Sequence, residues 1–158
     1  MPKLGEYRFI LKNVAFVYPS RDQAALGQKA GGTGFFVAVP SRVAPQHFHH
    51  IYFVTNFHVA RNRPRTLREN TLDGGVELIS IDNWISVPGG PDVSVAPVSL
   101  DPQRHAIEAL NAESWMLTKE DIRSLEIDAG EDVFMVGRFV DYDGDQSNRP
   151  SLRFGHIS

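Results

Sequence analysis

An all-β fold is the expectation for this sequence, on three observations. The apolar runs are short, they are rich in Val, Ile and Phe, and turn-forming Gly, Pro, Asn and Asp residues separate them. Residues 6–18 read as an extended lead-in that ends at Pro19-Ser20. Phe35-Phe36-Val37-Ala38-Val39 reads as a buried strand, reached through Gly31-Gly32-Thr33-Gly34 and stopped by Pro40. Ile51-Tyr52-Phe53-Val54-Thr55 is a second, and residues 40–50 between the two form a hairpin-type loop. Residues 76–81 and 84–87 flank an Asp82-Asn83 turn, and residues 92–100 follow the loop Pro88-Gly89-Gly90-Pro91. Thr118, followed three residues later by Asp121 and with Ile122 and Leu125 on one face, marks a short capped helix. A second helical pattern covers 102–110. Strand character resumes at 132–136 and again at 152–157, with no internal repeat and no low-complexity stretch anywhere.

Composition narrows the class. At 158 residues and 17.6 kDa the chain is long enough to bury a sizeable core. Sixteen Lys and Arg against nineteen Asp and Glu leave a formal charge of −3, so no strong global field draws it to nucleic acid or to an anionic membrane. With 42% hydrophobic and 22% charged residues, disorder is excluded for the chain as a whole. The absence of cysteine excludes a disulfide framework, a thiolate zinc site and a cysteine nucleophile within it. No apolar run approaches the ~20 residues that span a bilayer. Glu6, Arg8 and Lys12 interrupt the first twenty residues where a signal peptide would be apolar. A soluble, cytoplasmic protein is the expectation.

Chemistry first shows in Phe53-Val54-Thr55-Asn56-Phe57-His58-Val59-Ala60, a strand that delivers a histidine just beyond its end. An imidazole with a pKa near ~6.5 can take and return a proton at neutral pH, provided one ring nitrogen has an orienting acceptor. Taken alone, such a histidine serves equally well as the cap of a turn. Asp92 lies 34 residues further on, in Asp92-Val93-Ser94-Val95-Ala96-Pro97, after a Gly/Pro loop and at the start of an apolar strand. A carboxylate there suits a cleft, where it could fix the tautomer of a nearby imidazole. It also suits an ordinary turn.

Five segments in order then resemble the trypsin-like (chymotrypsin-fold) serine peptidases, in particular their cysteine-free bacterial branch. Gly32-Thr33-Gly34-Phe35-Phe36-Val37 resembles that family's G-[ST]-G-F strand, and Val54-Thr55-Asn56-Phe57-His58-Val59 its V-T-[NA]-x-H-V element. Asp92-Val93-Ser94-Val95 is similar to its D-[IV]-A-[LV] element. Gly130-Glu131-Asp132-Val133-Phe134-Met135-Val136-Gly137 resembles the opening of the second barrel, and Arg153-Phe154-Gly155-His156-Ile157-Ser158 a G-x-[IV]-S strand beyond it. The resemblance implies chymotrypsin-like antiparallel β-barrels, the first complete and the second only begun. Residues 1–100 would form the first barrel, 101–130 the interdomain connection with its short helix, and 131–158 the first strands of the second. It implies a Ser-His-Asp peptidase acting on polypeptides without a cofactor or metal. His58 would be the general acid/base and Asp92 its orienting partner.

The nucleophile has no counterpart. The family carries it in a G-[DNTS]-S-G-[GSA]-P element, and none of the eleven serines here lies between glycines in that way. The oxyanion hole and the primary specificity pocket belong to the same missing element. The expectation is therefore a portion of a serine endopeptidase, inactive by itself. A further segment or chain would complete the second barrel along the strand edge near 150–158. The alternative is a pseudo-peptidase that binds a peptide or protein in the old cleft. Barrels of this kind often need roughly 200–250 residues, which favours the first.

Other signals are weaker. His47, His49 and His50 lack the further ligands that a zinc site needs and read as exposed loop residues. Arg61, Arg63, Arg65 and Arg68 read as a solvated basic loop with no interleaved aromatic residue, as against a nucleic-acid site. A preference for acidic substrate residues is a minor reading of the same run. Asp141, Asp143 and Asp145 alternate as in a calcium loop, but Gly144 comes too early and Leu152 stands where a bidentate glutamate belongs, so a turn at Asp143-Gly144 is expected. Trp84 and Trp115 read as packing residues.

Overall fold

The structure, a computed structural model, describes residues 8–138 and 146–158. A single helical turn, α1 (Arg8–Lys12), precedes the first strand, β1 (Val14–Tyr18), so the expected lead-in is extended only in its second half. Asn13 makes the junction. It is buried, and its Nδ2 donates to the carbonyls of Phe36 and Glu108, both at 2.7 Å. Helix α2 (Arg21–Leu26) follows. Ser20 caps it by accepting from Gln23 N, and Gly27 closes it in the left-handed region at φ 63.

The next elements are β2 (Gly32–Pro40), β3 (His49–Thr55), the four-residue helix α3 (Phe57–Ala60) and β4 (Thr66–Asn70). After them come β5 (Val76–Ser80), β6 (Ile85–Ser86), β7 (Ser94–Pro97) and β8 (Leu110–Asn111). They form one sheet along the path β5-β4-β1-β2-β3-β7-β6, antiparallel throughout. Short β8 takes the edge of β2 beyond the end of β1, in parallel. The two ends of the path, β5 and β6, are joined by residues 81–84 alone, so the sheet curls into an antiparallel half-barrel. The fold is mostly β, as the short Val/Ile/Phe runs predict.

Strand β1 is buried on both faces, which suits its unbroken run of Val, Ala, Phe, Val and Tyr. Ala15 and Val17 face the inside of the curl with Phe36, Phe53, Leu67, Ile81 and Ala96. Phe36 and Phe53 meet edge to face at 5.3 Å, and Trp84 stands edge-on to Phe53 at 6.4 Å. Val14, Phe16 and Tyr18 pack on the outer side with Ala24 of α2.

The pattern over 102–110 does not become a helix. Residues 102–104 turn, and the backbone from His105 onward runs extended because the sheet has backbone groups to satisfy there. Ala106 N donates to Asn70 O at 2.8 Å, His105 bridges Thr71, and Glu108 O accepts from Asn13. Two short helices follow, α4 (Ala112–Trp115) and α5 (Lys119–Ser124), the latter with the expected Thr118–Asp121 capping box. Strands β9 (Asp132–Gly137) and β10 (Ser151–His156) form a separate antiparallel pair, with Phe134 opposite Phe154. Val136 reaches the outer cluster, and Asn148 exchanges hydrogen bonds with Asn70 and donates to Arg68 O. Among the described residues no helix is long and apolar enough to cross a membrane. Asp141, Asp143 and Asp145, with the turn expected at Asp143-Gly144, lie outside the described residues.

Candidate active site

Register brings His58 and Asp92 together. Strands β3 and β7 pair antiparallel with Thr55 opposite Ser94, so the residues just past the end of β3 meet those just before the start of β7. Thr55 fixes that end of β3 by donating its hydroxyl to Thr33 O of β2 at 2.7 Å. Helix α3 begins immediately afterwards. Its N-cap, Asn56, makes no side-chain cap of its own. The Asn56 amide instead donates to Asp92, to the backbone carbonyl at 3.2 Å and to Oδ2 at 3.3 Å.

Asp92 holds His58 at two points. Its Oδ1 accepts from the His58 backbone N–H at 2.9 Å, and its Oδ2 lies 2.6 Å from His58 Nδ1. One carboxylate therefore fixes both the first turn of α3 and the orientation of the ring it carries. The His58 backbone N–H, then the His58 ring, with a smaller contribution from Asn56, holds the Asp92 carboxyl below the usual aspartate value. Asp92 is thus ionised at neutral pH. An ionised acceptor on Nδ1 selects the tautomer with the proton on that nitrogen and leaves the lone pair on Nε2. Among the described residues nothing hydrogen-bonds Nε2, and the two side chains are 58% and 51% exposed, so the lone pair is open to an incoming group. This arrangement can accept a proton at Nε2 while Asp92 stabilises the resulting imidazolium.

Close packing sets the position of α3. A Cβ on Gly32 would stand 2.5 Å from Val59 Cγ1, so only a glycine at that place on β2 lets the helix lie this near the sheet. Neither this role of Gly32 nor the part played by Asn56 follows from the segments that contain them. The position of Asn56, at the N-cap of a helical turn beside the histidine, is the signal that could have found it.

The remaining candidates do not join the site. His47, His49 and His50 are exposed, and among the described residues no three His, Asp or Glu side chains are gathered to hold a metal. Ser94, the serine nearest Asp92 in sequence, is buried and shares a 2.6 Å hydrogen bond with Ser86. Arg68 departs from the expected solvated loop: it lies in β4 with 1% exposure, and its guanidinium packs under Gly27. Strand alternation sends it to the opposite face from Leu67. Arg61, Arg63 and Arg65 are exposed as expected. Trp84 packs on the core and donates its Nε1–H to Pro64 O at 3.1 Å, whereas Trp115 is half exposed against Phe9. Compared with known protein families, curated proteins and solved structures, the chain has no match.

Proposed function

We propose that this chain supplies the general-base half of a trypsin-like serine endopeptidase, with the nucleophilic serine contributed from outside these 158 residues. The observation that carries the proposal is the two-point hold of Asp92 on His58, through the backbone N–H at 2.9 Å and Nδ1 at 2.6 Å. A merely decorative surface histidine has no need of a carboxylate that fixes both its backbone and its ring. The order His before Asp, each beside paired strands of one curled sheet, suits the same reading. So does the strand path, in which β5 and β6 read as one interrupted strand closing a six-stranded barrel, with β9 and β10 as the opening of a second.

In this mechanism the serine Oγ attacks the peptide carbonyl as its proton passes to His58 Nε2. Asp92 stabilises the imidazolium, which then gives that proton to the leaving amine. Water repeats the sequence on the acyl-enzyme and frees the serine. The chemistry requires no cofactor.

The test is covalent labelling by a fluorophosphonate of the complete gene product that contains this chain, since labelling requires an activated serine. His58→Ala abolishes it, and Asp92→Asn lowers it by about 10⁴-fold through the wrong tautomer. The 158 residues alone hydrolyse peptides no faster than their His58→Ala variant. Labelling that survives His58→Ala removes His58 as the base. A complete product that never labels, yet binds peptide, is a pseudo-peptidase, a reading favoured only by the lack of a glycine-flanked serine here.

A further inference from the structure

A concavity of about 890 Å³ opens beside α3 and is lined by Phe57 and Ala60, on either side of His58 in sequence. Its lining is strongly one-signed. Arg61, Arg63 and Arg65 reach it from the loop after α3 and Arg21 from the start of α2, with Asp82 the single carboxylate. Among the described residues none of these four guanidinium groups is paired with a carboxylate, and of the four side chains only that of Arg21 has a hydrogen-bond partner, the Leu78 carbonyl at 3.4 Å. Four cations crowded into one concavity repel one another, and in a chain of net charge −3 this clustering is local to one face. Arginine forks are suited to carboxylates, which they bind through two parallel hydrogen bonds.

We infer that this recess binds the acidic side chains of a polypeptide, and that Arg61, Arg63 and Arg65 set a preference for Asp and Glu in the segment running past His58. Identifying that polypeptide as substrate rests on the peptidase reading; the binding itself does not. Two features favour an acidic peptide over a nucleic acid. The recess abuts the helix that carries His58, and Trp84, one of its two aromatic residues, is engaged elsewhere, edge-on to Phe53 and bonded to Pro64 O, so it offers no free stacking platform.

The arginines can be removed without endangering the fold. Arg61, Arg63 and Arg65 are exposed, and Arg63 has φ 52, a conformation that glycine adopts more readily than arginine. The experiment measures fluorescence anisotropy of a labelled oligo-glutamate peptide with the 158-residue chain, against oligo-lysine, a neutral Gly/Ser peptide and a single-stranded RNA of equal length. The chain binds oligo-glutamate, more weakly as salt is raised, and His58→Ala binds it equally. The triple variant Arg61→Gln, Arg63→Gly, Arg65→Gln loses about tenfold or more in affinity with an unchanged melting temperature. The double reversal Arg61→Glu, Arg63→Glu gains affinity for oligo-lysine. Absence of oligo-glutamate binding, equal binding by the triple variant, or tighter binding of the RNA overturns the inference. Failure of fluorophosphonate labelling with this binding intact overturns the peptidase reading and leaves the recess assigned.

Discussion

Glu69, in β4, and Asp92, in the loop before β7, are both carboxylates, and their surroundings move them in opposite directions. Glu69 is 2% exposed on β4, and burial pushes its carboxyl up to about 8, against a smaller opposing pull from the Asn70 backbone N–H. In the unfolded chain it ionises near 4.5. Between those values the folded protein keeps a proton that the unfolded chain has released, so stability falls as pH rises, by at most about 1.4 kcal/mol per pH unit. Glu69→Gln removes that slope, as urea midpoints measured from about pH 5 to about pH 8 will show; an unaltered slope would refute the assignment. Asp92, with its pKa lowered by His58, has the opposite sign. Its contribution is present above the unfolded aspartate value and is lost as pH falls through the lower folded one. The residue types of the candidate site are legible in the sequence as a histidine just past one strand and an aspartate just before another, although each alone also suits a turn. Arg68 is not, because a basic run looks the same in sequence whether its last member is exposed or lies in a central strand.

Strand β2 owes its fit to two glycines with different neighbours. A Cβ on Gly34 would overlap the Val54 carbonyl oxygen and the fully buried Phe53 ring, neither of which has room to move. Gly34→Ala therefore destabilises the protein by about 3 kcal/mol through overpacking. Gly155→Ala on β10, where a Cβ meets nothing within 4 Å, changes stability by less than about 0.5 kcal/mol. Comparable denaturation midpoints for the two variants would contradict this account. Helix α2 carries its signals openly in the sequence, Ser20 with Gln23 three residues on and Gly27 at its end. The segment 102–110 is different. Its local pattern favours a helix, and the unpaired edges of β2 and β4 override it.

Stability is unevenly distributed over the molecule. Strands β1, β2 and β3 contribute Phe16, Phe36 and Phe53 to the interior, all fully buried, whereas β9 and β10 leave Phe134, Met135 and Phe154 exposed. Contacts of the hairpin and its flanks with the rest include Val136, Asn148 and Arg138, whose backbone N–H meets Thr33 Oγ1 at 3.3 Å. Native-state hydrogen exchange will find the amides of β9 and β10 opening well before those of β1 to β3. Equal protection in both would show that the pair is held as firmly as the sheet.

By itself the sequence determined the strand-forming runs, the α5 cap and the two residues able to do proton chemistry, because alternation, capping and side-chain identity are local properties of a chain. Only the tertiary structure decided that Thr55 pairs with Ser94, that Arg68 is buried while Arg61, Arg63 and Arg65 line one recess, and that residues 105–111 run extended. These depend on which distant strands satisfy each other's backbone groups and which side chains then fit between them. Pairing across tens of residues is fixed by packing, which no short window of sequence contains.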